Sequence, residues 1–262
     1  MTDAKTPFAH IASSLRRLAV LAASLSMSSM AVAAGGSVGV VPAGNDVDNI
    51  QSLQRGARNF INYCTGCHSA EYVRYNTLAR DLDLTDDQIA ANLMFNAEKT
   101  FETIQSSMRR EDAARWFGQA PPDLSLIARS KGTDYVFSFL RSFYIDPDSP
   151  TGVDNLVLAG TSMPHVLWEL QGVQKANFRT EDVAGQEGVT RQVFDSFELV
   201  KEGSMSAEDF DAFARDTANF LEYISEPERS TRRTVGTWVI IYLLVFLIIA
   251  TMLKKQIWKD VS

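Results

Sequence analysis

The chain has 262 residues, 45% of them apolar, and carries 32 acidic against 25 basic side chains. That length suits one domain, or one domain with attachments. The acidic balance excludes nucleic acid, whose phosphates need a basic partner.

The apolar residues gather in a block at each end, around a mixed and acidic middle. Lys5, His10, Arg16 and Arg17 form a basic start, Leu18 to Met30 a short apolar run, and Ala31-Val32-Ala33 a small-residue cleavage pattern. That order reads as a secretory signal peptide over residues 1–33. An N-terminal membrane helix is the alternative, but the run is short for one and rich in Ala and Ser. The mature chain then begins near Ala34, and residues 34–230 form an exported body. From Ala34 to Glu228 that body has 16 Lys and Arg against 30 Asp and Glu, a balance that favours a basic protein partner met by electrostatic steering.

After a Gly-rich stretch, Val47, Ile50, Leu53, Ala57, Phe60 and Ile61 repeat at helical spacing. They predict an amphipathic helix that runs directly into Cys64-Thr65-Gly66-Cys67-His68. This is C-x-x-C-H, the attachment signature of c-type haem. Two thiols three positions apart on a tight turn can each form a thioether to one haem vinyl group. The following imidazole then points at the iron, and Thr65 and Gly66 are small enough to let the porphyrin edge approach. A zinc half-site would want two further ligands, and only His10 and His165 remain. A redox dithiol does not require the His and expects a βαβ setting, which the sequence lacks. One haem c, bound through two thioethers, is therefore expected.

Thr85-Asp86-Asp87-Gln88 reads as a capping box. It opens a helix whose apolar stripe takes in Ile89, Leu93, Met94, Phe101, Ile104 and Met108. Ala120-Pro121-Pro122-Asp123 is a rigid stop and restart. Leu124 to Ala128 predict a short helix, and Thr133 caps another that carries Tyr135, Val136, Phe139, Leu140 and Phe143. Residues 146–155 read as a loop. Residues 172–203 are polar and weakly periodic, consistent with a short strand pair or a surface insertion. A helix is predicted from Ala207 to Ile224, capped by Ser206 with Asp209 in its first turn. Phe60 should face it near Phe213 or Phe220.

A six-coordinate electron-transfer haem needs a second axial ligand, and Met raises its potential. Met94 and Met108 are assigned to core. Met163 sits in a plausible ligand loop, Ala159-Gly160-Thr161-Ser162-Met163-Pro164, and His165 is an outsider. Met205 leads, because small c-type cytochromes place the ligand Met just before a closing helix.

Val235 to Leu253 hold no charge over 19 residues, about 28 Å of helix and close to the hydrocarbon thickness of a bilayer. Trp238, Tyr242 and Trp258 stand near the ends of this span, as an aromatic belt would. Arg229, Arg232 and Arg233 before the span balance Lys254, Lys255 and Lys259 after it, so charge does not set the orientation. The signal peptide does: the body is exported, and the tail, residues 254–262, stays inside. The expected fold is mainly α, a cytochrome c-like haem domain with long loops plus one C-terminal transmembrane helix.

Several segments together resemble the cytochrome c1 family, the haem c subunit of the cytochrome bc1 complex. They are Asn62-Tyr63-Cys64-Thr65-Gly66-Cys67-His68-Ser69, Pro121-Pro122-Asp123-Leu124-Ser125, Asp134-Tyr135-Val136-Phe137-Ser138, Met163-Pro164, Ser204-Met205-Ser206, Glu226-Pro227-Glu228 and the single span. The resemblance implies Met205 as the distal ligand beside His68. It also implies that Arg129 and Tyr135 approach the haem propionates, and that Pro121 and Pro122 wall the haem edge. It implies an electron relay from a Rieske iron–sulfur protein to a cytochrome c, beside cytochrome b, on the periplasmic side of the inner membrane. Such a subunit performs no bond chemistry beyond the iron's change of charge. Residues 163–205 span more than in mitochondrial members, and Trp116-Phe117-Gly118-Gln119 depart from the pattern. The competing expectations are a free-standing membrane-tethered cytochrome c, and a haem-based sensor or peroxidase with an open distal site.

Overall fold

The computed structural model describes residues 39–182 and 190–260. The expected signal peptide, residues 1–33, lies outside the described residues.

The fold is organised by two helices far apart in sequence, α1 (Ile50–Tyr63) and α8 (Ala207–Ser225). Both are started by side-chain caps. Asn49 accepts from the Ser52 amide, and Ser206 accepts from the Asp209 amide at 3.1 Å, each satisfying a donor that the first turn leaves free. Their apolar stripes meet. Leu53, Ala57 and Phe60 of α1 pack with Phe213, Ala214, Phe220 and Leu221 of α8 in the main core, and the Phe60 and Phe220 rings lie 5.6 Å apart. The crossing is close because Gly56 has no side chain: a Cβ there would stand 2.1 Å from Asp216 O and 2.7 Å from Phe220 Cβ. Polar groups at this seam are paired. Asp216 accepts from Ser52 Oγ at 2.6 Å and from Arg55 Nε at 2.6 Å, and Asn219 Nδ2 donates to Ser52 Oγ at 2.9 Å.

Shorter elements fill the interval. They are β1 (Ala70–Arg74), α2 (Tyr75–Asp81), α3 (Asp86–Asn92), β2 (Thr103–Ile104), α4 (Arg110–Phe117), α5 (Ile127–Lys131), α6 (Thr133–Arg141), β3 (Phe143–Ile145), β4 (Val153–Asn155) and α7 (Trp168–Gln171). Strands β1 and β2, and β3 and β4, pair antiparallel. The capping box at Thr85 forms, but the helix it opens ends at Asn92. The expected long stripe is thus divided: Ile89 and Leu93 are buried, Ile104 belongs to a strand, and Phe101 is 54% exposed.

Residues 172–203 hold more structure than a short strand pair. Strands β5 (Gly172–Asp182) and β6 (Thr190–Glu202) form a long antiparallel ribbon with two register irregularities. Its root is tight. A Cβ on Gly172, where φ is +93°, would meet Lys201 O at 2.3 Å, and one on Gly203 would meet Leu170 O at 2.2 Å. The ribbon therefore leaves and rejoins the body at one place.

Helix α9 (Arg229–Ile257) follows, with no buried side chain among those described. A helix apolar on all sides and unburied in its own chain is built for a bilayer, and it is long and apolar enough to cross one. The fold is mainly helical with one C-terminal apolar helix, as expected.

Candidate functional site

An apolar cavity of about 300 Å³ lies where α1, α6 and α8 meet the loops between them. One part of its wall is the turn that continues α1. Cys64 N donates to Phe60 O at 2.9 Å, and Thr65 Oγ1 to Ile61 O at 2.7 Å. Cys67 N and His68 N both donate to Cys64 O, at 3.0 and 2.8 Å. These bonds wind Cys64, Cys67 and His68 onto one turn, and all three side chains line the cavity.

Cys64 and Cys67 are not joined in a disulfide. Burial, then the neighbouring Cys67, pushes the Cys64 thiol up to about 12, and burial raises Cys67 as well. Among the described residues no group of three His, Cys, Asp or Glu is placed to hold a metal ion. A zinc half-site therefore finds no further ligands among the described residues, and the apolar wall suits neutral thioethers.

His68 is oriented from behind. Its Nδ1 lies 2.8 Å from Pro122 O. A carbonyl can only accept, so Nδ1 carries the proton and Nε2 keeps its lone pair. Burial lowers the ring's pKa, against the Pro122 bond and the Asp123 charge, which keeps the imidazole in the neutral form that ligates metal. The Pro122 segment is itself fastened to the strand after His68. Leu124 N donates to Ser69 O, Glu71 N to Asp123 Oδ2, and Tyr72 N to Ser125 Oγ, at 2.8, 2.8 and 3.1 Å. Pro121 and Pro122 line the cavity beside His68.

The other sequence-predicted residues divide. Tyr135, on α6, lines the cavity. Arg129 does not: it is exposed on α5, 3.7 Å from Glu226. Lys131, two residues on and missed at the sequence level, reaches the cavity wall with its Nζ 5.8 Å from the Tyr135 ring centre. Met205 is half-buried against the main core, and its amide donates to Leu170 O at 3.1 Å. It is not among the cavity-lining residues; Met163 is, with Thr161, Ser162, Pro164, Val166 and Leu167. The reason is the ribbon root. Residues 172–202 form an excursion that returns Met205 next to Leu170, past the point where the chain has already reached the cavity through residues 161–167. The Ala159–Pro164 loop, already singled out by its composition, was the available signal.

The residues present fit haem c: two neutral thiols and an oriented imidazole on one turn, a thioether on a second segment, apolar walls, and Lys131 and Tyr135 for carboxylates.

The family model described as the Cytochrome C1 family matches residues 45–261. Cytochrome c1 of Allochromatium vinosum is 42% identical over 230 residues, covering 88% of this chain and 93% of that protein. The ammonia monooxygenase gamma subunit of Nitrosomonas europaea is 36% identical over 211 residues, covering 80% and 84%. The mitochondrial cytochrome c1 heme protein of Saccharomyces cerevisiae is 27% identical over 229 residues, covering 80% and 67%.

Proposed function

The chain belongs to the cytochrome c1 family, a membrane-anchored subunit with haem c and an electron-transfer role in the bc1 complex, and from this premise we propose its place in the relay. It accepts one electron at a time from a Rieske iron–sulfur protein and releases it to a cytochrome c. Haem c, when bound, supplies the one-electron Fe(III)/Fe(II) couple.

The residues of the chain supply attachment, ligation and shielding. Cys64 and Cys67 hold a single haem through two thioethers. His68 offers Nε2, fixed in that tautomer by Pro122 O. Met163, not Met205, would offer its thioether to the iron, a reading that rests on which of the two lines the cavity. Lys131 and Tyr135 meet the propionates in place of Arg129. The walls exclude water, which lowers the local dielectric and limits side reactions. The body stands on the periplasmic side, α9 crosses the inner membrane beside cytochrome b, and the acidic surface steers a basic acceptor. The name of the Nitrosomonas relative belongs to that protein; the family match and the Cys64–His68 turn favour electron transfer here.

The observation that carries the reading is the meeting of Cys64, Cys67, His68 and Met163 at one apolar cavity. The test is purification of the tagged full chain from membranes in mild detergent. Cytochrome b and a Rieske protein should co-purify, and quinol should reduce the haem only while the Rieske protein is present. A chain that purifies alone, with haem reduction indifferent to quinol, would instead be a free-standing tethered cytochrome.

A further inference from the structure

The segment that brings Met163 to the cavity has one side chain turned the other way. Residues 161–164, 166 and 167 all line the cavity, and His165 does not. Its ring is buried, 8% exposed, and lies flat on Phe143 of β3, with centroids 5.0 Å apart and planes 4° from parallel. Both of its ring nitrogens are buried without a hydrogen-bond partner among the described residues, and so is Gln171 Oε1. The Gln171 side chain and the Gly172 backbone lie against the ring.

These unpaired groups are chemically complementary. A neutral imidazole has one N–H to give, and an amide oxygen can only accept. Buried polar groups in native proteins are nearly always paired, and the Gln171 side chain is one of the two groups that lie against the ring. The amide is already anchored, since Gln171 Nε2 donates to Arg141 O at 2.8 Å. Arg141 in turn holds Asp211 of α8 with two bonds, at 2.5 and 2.8 Å.

We propose that His165 is the positioning residue of the Met163 loop: its N–H donates to Gln171 Oε1, its face rests on Phe143, and this tether holds the Met163 thioether in the cavity. The proposal rests on the reading of Met163 as the axial donor. Thioether sulfur is a weak ligand on a side chain with three rotatable bonds, so its supporting segment has to be immobilised beforehand. Through Gln171 and Arg141 the tether ends on α8, the helix that also packs on α1. The loop that carries the ligand is thereby tied to the helix pair that carries the attachment turn.

The test compares His165→Phe, His165→Gln, Gln171→Leu and Met163→Leu in the full complex. The readouts are the Met–iron(III) charge-transfer band, the midpoint potential and the rate of carbon monoxide binding to the reduced protein. His165→Phe keeps a ring against Phe143 but loses the N–H. It should weaken the band, lower the potential and speed carbon monoxide binding at least tenfold, with haem content unchanged. Gln171→Leu should do the same, and the double variant should do no more than the larger single change, as for two ends of one bond. His165→Gln, which restores a donor, should recover most of the band. If His165→Phe and Gln171→Leu lower only the melting temperature, or if His165→Gln opens the site as far as His165→Phe does, the tether is overturned. If Met163→Leu leaves the band intact, the ligand reading itself fails, whatever His165 does.

Discussion

Two segments line the same cavity with candidate haem-binding side chains, and they are built in opposite ways. The Cys64–His68 turn is wound by its own backbone bonds to residues no more than five away, and only then tied outward, by Ser107 N donating to Thr65 O at 3.2 Å and by Pro122 O behind His68. The Thr161–Leu167 loop contains no regular element before α7. It is held by side chains from elsewhere: Asp154 Oδ1 accepts from the Gly160 and Thr161 amides at 2.7 and 3.3 Å, and His165 lies on Phe143. The first segment is specified locally and the second by its surroundings. That difference decides both what breaks each segment and how well each can be read from sequence.

The largest effect should come from the locally specified side. Cys64→Ala/Cys67→Ala, or the same pair changed to Ser, should remove covalent haem altogether, because no other cysteine remains to supply a thioether. Haem staining of the denatured chain and the haem-to-protein ratio of the complex check this. If either variant retains full haem content, the turn is not the attachment site.

Next should come the helix pair that presents the turn. Gly56→Ala drives a methyl group into Asp216 O and Phe220 Cβ, and a backbone oxygen cannot step aside. Overpacking of this kind costs about 1–3 kcal/mol, and the upper end applies here. Denaturant unfolding should show that loss together with weaker haem retention. An unchanged midpoint would mean that α1 and α8 cross less closely.

A smaller effect should separate Lys131 from Arg129. Lys131 is at the cavity wall, and Arg129 is paired outside it with Glu226. Removing a cation near the iron favours the oxidised form, so Lys131→Gln should lower the midpoint potential by the equivalent of about 1–2 kcal/mol. Arg129→Gln should leave the potential close to wild type. The reverse order would restore the family-derived expectation for Arg129.

The smallest effect concerns pH. Tyr223 on α8 is buried, and its hydroxyl donates to Asp81 Oδ2 at 2.7 Å. Burial first, and then that bond, raise its pKa above the ordinary 10.0. A raised folded value means that the unfolded chain gives up the proton first. The stability from this group is therefore full below about pH 10 and drains away as the pH rises towards the folded value. Tyr223→Phe should unfold more easily at neutral pH by about 1 kcal/mol and show a shallower alkaline decline. An equally steep decline would put the titrating group elsewhere.

The same contrast explains what the sequence made legible. The α1 stripe, the C-x-x-C-H turn, the Ser206 cap and the uncharged span are written in neighbouring residues, and periodicity or spacing suffices to find them. The ribbon over residues 172–202 has alternation too weak to read, because much of both its faces is exposed. Its root bears on which methionine lines the cavity: Met163 does and Met205 does not. Without knowledge that Gly172 and Gly203 meet at its root, Met205 appears to approach the cavity ahead of α8, when the chain has already delivered Met163. That Lys131 lines the cavity and Arg129 does not has the same origin. Both lie on one short helix, and only its rotation within the fold decides which one faces inward.

Met163 and His68 share the cavity, with Met205 outside it, and on the proposed reading these two would hold the haem iron. The most direct measurement is the visible and near-infrared spectrum of the oxidised complex, with carbon monoxide added after reduction, for Met163→Leu and Met205→Leu side by side. Loss of the Met–iron band and rapid carbon monoxide binding in Met163→Leu, with Met205→Leu indistinguishable from wild type, is the predicted result. The opposite pattern would contradict the account, returning the ligand to Met205 and moving the Thr161–Leu167 loop away from the iron.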